Sequence, residues 1–263
     1  MSEDILENQY QPASIDLRLG DVAYRVRASF LPGPDATVED KLRSVFMHEV
    51  DLTKGAVLEA GSVYVVPLME ALQLPSRVSG IANPKSSTGR LDVFTRLITD
   101  RSQAFDTVEA GYRGPLYAEI TPRTFPILAR KGSRLNQLRL RSGTPEFTDT
   151  ELRRLHEAKV IVSGSADIAG GIALSVDLES TDAQGVVGWR AKRHTGLIDI
   201  DRVGAYSVPD FWEPVHADAS HSIVLDPDEF YILVSREAVS IPPDYAAEMV
   251  PFNPLVGEFR VHY

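Results

Sequence analysis

Val57-Leu58-Glu59-Ala60-Gly61-Ser62-Val63-Tyr64-Val65-Val66 returns, with substitutions, as Val224-Leu225-Asp226-Pro227-Asp228-Glu229-Phe230-Tyr231-Ile232-Leu233. The match stays in register through Glu70-Ala71-Leu72-Gln73-Leu74-Pro75 against Glu237-Ala238-Val239-Ser240-Ile241-Pro242, at an offset of 167 throughout. Upstream, Ser14-Ile15-Asp16-Leu17 matches Ser175-Val176-Asp177-Leu178 at an offset of 161. Three matches in one order at nearly one offset read as two copies of one structural unit.

The unit itself reads as β. Proline and glycine, 17 and 18 of them, punctuate the chain. Between them lie short β-rich runs at Val63 to Val66, Leu116 to Ile120, Val160 to Val162 and Phe230 to Val234. Such spacing points to a sandwich or barrel. The clearest helix is expected at Asp149 to Ala158, capped by Thr148 or Asp149, with a weaker one at Val38 to Phe46. The expectation is a mainly β chain of two tandem lobes, 1–145 and 146–263, with the short helix near 149–158 linking them. The second lobe reads as cut short. After Pro75 the first copy runs on for about 65 residues, whereas 21 follow Pro242, so the natural protein is expected to continue beyond Tyr263 or to borrow strands from a neighbour.

Composition narrows the partners. With 27 basic and 37 acidic residues the formal charge is −10, which repels a nucleic-acid backbone. No apolar run approaches a membrane span and Met1 to Tyr10 has no signal core, so a cytoplasmic location is expected. The absence of cysteine excludes disulfides, thiolate nucleophiles and cysteine-held zinc.

Three segments stand out against this background. In Asn83-Pro84-Lys85-Ser86-Ser87-Thr88-Gly89-Arg90 two hydroxyls lie between two cations in a turn of small residues. That chemistry suits a phosphate chain, though a solvated polar turn looks the same in isolation. In Glu109-Ala110-Gly111-Tyr112-Arg113-Gly114-Pro115-Leu116-Tyr117-Ala118-Glu119-Ile120 a glycine-bracketed turn feeds a strand. Alternation puts Glu119 on one face with Tyr117, and an outward-facing charge is its ordinary reading. Gly132-Ser133-Arg134-Leu135-Asn136-Gln137-Leu138 is a glycine turn followed by a strand bearing Arg134 and Gln137.

Taken in order, these segments resemble the dCTP deaminase family of the dUTPase-like superfamily. Its Ser-x-Asp-Leu opening is matched by Ser14 to Leu17 and its Arg-Ser-Ser-x-x-Arg motif by Lys85 to Arg90, with Lys for the first Arg. Its Asp-x-Gly-aromatic-x-Gly turn is matched by Glu109 to Gly114, with Glu for Asp, and its Gly-x-x-x-x-Gln strand by Gly132 to Gln137. The resemblance covers about Gln11 to Leu140. It implies two dUTPase-like distorted barrel or jelly-roll lobes and a hydrolytic deaminase that works without catalytic zinc.

By the same resemblance the general base lies five residues after the second glycine of the aromatic turn, at Glu119. Ser86 would hold the attacking water and Arg90 would orient Glu119 or the substrate. Lys85, Ser87, Arg134 and Gln137 would bind the triphosphate with its Mg²⁺, and Glu109, Gly111 and Tyr112 would form the base and sugar pocket. The relatives are trimers with sites between subunits, so Ser86 and Arg90 are expected to face a neighbour's Glu119. The second copy reads Phe252-Asn253-Pro254-Leu255-Val256-Gly257-Glu258 where the first has its hydroxyl pair, which marks it as a structural lobe. Two rivals stay open: a dUTP pyrophosphatase or a bifunctional enzyme making both cleavages, and a catalytically inactive nucleotide-binding relative. Elsewhere Arg190 to His194 is a basic run suited to a solvated hairpin, and His216 to His221 has too few ligands for a metal site.

Overall fold

The structure is a computed structural model that describes residues 4–143, 146–179 and 184–250. It is mainly β. In chain order the strands are β1 (Tyr10–Gln11), β2 (Ser14–Arg18), β3 (Val22–Val26), β4 (Phe46–Asp51), β5 (Ala56–Leu58), β6 (Val63–Gln73), β7 (Val78–Pro84) and β8 (Val93–Thr99). There follow β9 (Thr107–Val108), β10 (Arg113–Pro122), β11 (Ile127–Ala129), β12 (Arg134–Ser142), β13 (Val186–Ala191), β14 (Ile198–Asp199), β15 (Trp212–His216) and β16 (Tyr231–Leu233). The helices are α1 (Val38–Val45), α2 (Ser86–Gly89), α3 (Asp149–Lys159) and α4 (Val208–Phe211). Among the described residues no helix is long and apolar enough to cross a membrane.

The described chain forms two compact units. One holds the residues up to 143 together with 193–206; the other holds 146–179, 184–192 and 207–250. The return of 193–206 to the first unit goes beyond a simple cut near residue 145. There β14 runs parallel to β11, and Arg130 grips the Asp199 carboxylate with both terminal nitrogens, at 2.6 and 2.7 Å.

In the first unit two five-stranded sheets, ordered β1-β2-β12-β7-β9 and β4-β3-β6-β10-β8, enclose the main core. Period-2 alternation decides which side chains enter it. From β10, Leu116, Ala118 and Ile120 join the main core, as do Tyr64 and Val66 from β6. The intervening Tyr117, Val65 and Ile98 fill a second cluster, covered by Val38 and Leu42 of α1 and by Phe30. Around β6, β10 and β8 the second sheet is therefore buried on both faces, which is why β10 is buried without interruption from Leu116 to Ile120. Thr37 caps α1 by accepting from the Asp40 N–H, and Asp40 returns a bond to the Thr37 N–H.

The repeat is real at the level of single hydrogen bonds. Tyr64 Oη accepts from the Glu59 N–H at 3.1 Å, and Tyr231 Oη from the Asp226 N–H at 3.1 Å. Arg25 stands opposite Tyr64 in the β3–β6 ladder, and Arg190 opposite Tyr231 in the β13–β16 ladder. The upstream register differs from the sequence expectation. The Arg18 N–H bonds Glu70 and the Gly20 N–H bonds the Pro67 carbonyl. Their counterparts are the Ser175 N–H on Glu237 and the Asp177 N–H on the Val234 carbonyl. Ser175 thus stands for Arg18, an offset of 157 rather than 161. The Ser-x-Asp-Leu likeness between Ser14 and Ser175 is out of structural register. Backbone pairing, not the shared identity of two serines, sets which positions correspond.

Val160 to Val162 is not a strand. Val160 ends α3, and the run contributes one bridge, Val162 to Val239. Residues 252–258 lie outside the described residues. In the glycine-bracketed turn Gly111 has φ +78°, and a Cβ there would sit 3.2 Å from Ser76 Cα. Gly111→Ala is expected to cost about 1–2 kcal/mol, because a left-handed backbone and a backbone neighbour both oppose the methyl; chemical denaturation measures it.

Candidate active site

The 83–90 segment is held from below and open above. The Lys85 N–H donates to the Leu135 carbonyl, and the buried Thr88 hydroxyl donates to the same oxygen at 3.0 Å. These bonds fasten the turn to β12 and leave Ser86, Ser87 and Arg90 exposed. They line an open recess of about 470 Å³ together with Lys85, Gln137, Arg139 and the 11–14 turn. Gln137 accepts from the Ser14 hydroxyl at 3.1 Å. Lys85 is ion-paired with the buried Asp16, so its charge is partly engaged before any ligand arrives.

Arg139 belongs to this recess and did not figure among the sequence candidates. It shares the Gln137 face of β12 at a spacing of two, a signal the alternation carried. Its Nε is buried without a hydrogen-bond partner. Arg134, by contrast, is occupied elsewhere: its guanidinium donates to the Asn8 carbonyl and to Asn8 Oδ1, each at 2.7 Å. It does not line the recess.

Glu119 is 3% exposed, so it is not an outward-facing charge. It shares its face of the sheet with Val65 and Arg96, its ladder partners on β6 and β8. Oε1 accepts from the Ser29 hydroxyl at 2.9 Å, and Oε2 is buried with no hydrogen-bond partner. Burial pushes its pKa up. The Ser29 hydroxyl, Arg96 and the Phe30 N–H pull the other way, without cancelling the effect. Arg96 stacks its guanidinium carbon 4.3 Å from the Phe94 ring centroid and 4.7 Å from that of Phe105. Asp106 completes the cluster. Burial pushes it up to about 6, against the Leu97 N–H and Arg96 and with the help of the Glu119 charge.

The aromatic turn is self-contained within the chain. Tyr112 donates from Oη to the Pro115 carbonyl at 2.7 Å and packs against the main core. Its hydroxyl covers Gly114, where a Cβ would stand 2.7 Å from Oη. Gly111 bonds the Val78 carbonyl, and Glu109 is exposed. Within one chain, then, Lys85, Ser86, Ser87, Arg90 and Gln137 come together. Glu119 lies in a separate buried cluster and is not part of the recess lining. Among the described residues no group of three or more His, Cys, Asp or Glu side chains is placed to hold a metal ion. In the second unit Arg190 is taken up by Glu213 at 3.0 Å and Asp226 at 3.4 Å, and Asp218 is wrapped by the backbones and hydroxyls of Ser220 and Ser222.

Fold and recess define a class: a two-copy β protein whose first copy presents a cationic, hydroxyl-lined recess suited to a phosphate chain. The model of the 2'-deoxycytidine 5'-triphosphate deaminase N-terminal domain matches residues 1–144, and that of the C-terminal domain matches residues 148–263. The chain belongs to the 2'-deoxycytidine 5'-triphosphate deaminase family. It is 58% identical to a 2'-deoxycytidine 5'-triphosphate deaminase from Agrobacterium tumefaciens of known crystal structure, covering 99% of this chain and 78% of that one with a TM-score of 0.95. It is 26% identical over 138 residues to a dCTP deaminase of Halorubrum lacusprofundi, across 51% of this chain and 64% of the relative. It is 31% identical over 139 residues to a dUMP-forming dCTP deaminase of Nocardia farcinica, across 52% of this chain and 65% of the relative. The matches to these two span just under two thirds of the relatives' length.

Proposed function

We propose that this chain hydrolyses dCTP to dUTP and ammonia, with Glu119 as the general base. The observation that carries the reading is the orphaned Oε2 of a buried carboxylate. Buried polar atoms without partners are uncommon, and a bound water or substrate proton would satisfy this one. Desolvation raises the basicity of Glu119, as proton abstraction near neutral pH requires.

In this reading Glu119 takes a proton from water as the oxygen bonds to C4 of cytosine. It passes that proton to N3, and a second proton from the attacking oxygen goes to the exocyclic nitrogen as the C4–N bond breaks. Glu119 ends ionised, and the net change is addition of water and loss of ammonia. Ser86 polarises the attacking water and Arg90 orients the carboxylate or substrate. Lys85, Ser87, Gln137 and Arg139 take the triphosphate, which carries its Mg²⁺ as part of the substrate. Because Glu119 lies outside the recess of its own chain, the site is completed between copies in a homotrimer working in the cytoplasm. Glu109, Gly111 and Tyr112 then shape the base and sugar pocket, and Arg134 reaches the triphosphate on releasing Asn8.

The test is incubation of the full chain with dCTP and Mg²⁺, followed by nucleotide and ammonia analysis. Ammonia with dUTP is the expected result. Ammonia with dUMP and pyrophosphate favours a bifunctional enzyme, the reading suggested by the name of the Nocardia relative. Binding of dCTP without turnover overturns the proposal. Arg90→Ala is expected to lower kcat/KM about 100-fold, a loss of about 3 kcal/mol for a charge-assisted contact.

A further inference from the structure

Residues 27–37, between β3 and α1, reach Glu119 at Ser29, whose hydroxyl donates to Oε1 at 2.9 Å, and the neighbouring Phe30 N–H favours the ionised form. Phe30 packs into the cluster beneath α1, which anchors the segment. The charged groups facing Glu119 are Arg96 on β8 and Asp106 in the turn before β9. Neither reaches Oε2.

We propose that Ser29 is a positioning residue for Glu119: its hydroxyl fixes Oε1 and leaves Oε2 as the one oxygen that collects the proton. The terminal torsion of a glutamate is broad and nearly two-fold, so an untethered carboxylate presents either oxygen over a wide arc. A hydroxyl tether on Oε1 removes that freedom. It also survives the proton transfer, because the neutral acid's carbonyl oxygen still accepts. By bonding the ionised form it opposes the desolvation that burial imposes. This deepens the proposed function and rests on Glu119 being the base.

The experiment compares wild type, Ser29→Ala and Ser29→Thr as full chains, following ammonia release from dCTP with Mg²⁺ across the pH range of activity. Ser29→Ala is expected to lower kcat about tenfold at neutral pH with KM nearly unchanged. Its acid limb should move to higher pH, because the ionised carboxylate has lost a donor. Ser29→Thr, which keeps the hydroxyl, should restore both. Ser29→Cys, a weaker donor of similar size, should show the same shift and serves if the alanine variant does not fold. Burial pushes Asp106 up to about 6, within the same pH range. The comparison is therefore repeated on an Asp106→Asn background, where the Ser29→Ala shift should persist. An unmoved acid limb, with or without a fall in kcat, overturns the proposal. If Glu119→Gln still deaminates dCTP, the base assignment fails first. An inert Glu119→Gln beside a Ser29→Ala indistinguishable from wild type sinks the Ser29 role alone.

Discussion

Glu119→Gln is expected to lower kcat for dCTP deamination by about 1000-fold or more while leaving dCTP binding within about threefold of wild type. Glutamine keeps the shape of the side chain and can still accept from the Ser29 hydroxyl, so the packing around Val65 and Arg96 survives. What it cannot do is take a proton from water. The outcome therefore separates chemistry from folding. Rapid-quench turnover with equilibrium nucleotide binding on the same preparation measures both. A variant that deaminates at near wild-type rate would remove the general base from the mechanism, whatever the burial of the site.

Glu70→Ala is the stability change of largest expected size, about 3–5 kcal/mol. Glu70 and Arg18 are nearly sealed from solvent, with side chains 3% and 5% exposed and 2.7 Å apart. Glu70 also accepts from the Arg18 N–H at 2.8 Å and from the Gln9 side chain at 2.7 Å. Its removal takes the carboxylate from a buried guanidinium and an acceptor from two further donors at once, and the loss is the desolvation of those partners rather than one broken contact. The repeat supplies an internal control. Glu237 is the counterpart in the second unit, receiving the Ser175 N–H at 2.7 Å but lying at the surface. Glu237→Ala is expected to be far milder. Urea unfolding of the two variants, read by probes within each unit, tests the contrast. Equal effects would mean that burial of the first pair contributes little.

Much of the fold could be read in the order of the residues. Helices α1 and α3, the β-rich runs on either side of Tyr64 and Tyr231, and the alternation that sets Glu119 beside Tyr117 follow from local periodicity. The recess was partly legible too, since Lys85, Ser86, Ser87 and Arg90 are neighbours in sequence and Gln137 arrives on a strand of evident alternation. Arg139 lies on the same alternation but was not singled out, whereas Arg134 was, and Asn8 holds Arg134 away from the recess.

Ser29, Arg96 and Asp106 had no such signal. A serine 90 positions before Glu119 gives no sign in sequence that it touches the carboxylate. The repeat register shows the same limit: likeness of side chains put Ser175 with Ser14, and backbone hydrogen bonding puts it with Arg18.

The sequence by itself determined a duplicated β unit and the chemistry available to its first copy, because strand alternation and turn composition act over a few residues. Tertiary structure alone decided that Glu119 is buried rather than exposed. The outer face of its sheet is covered by α1 and the 27–37 segment, and burial is a property of what packs against a strand, not of the strand.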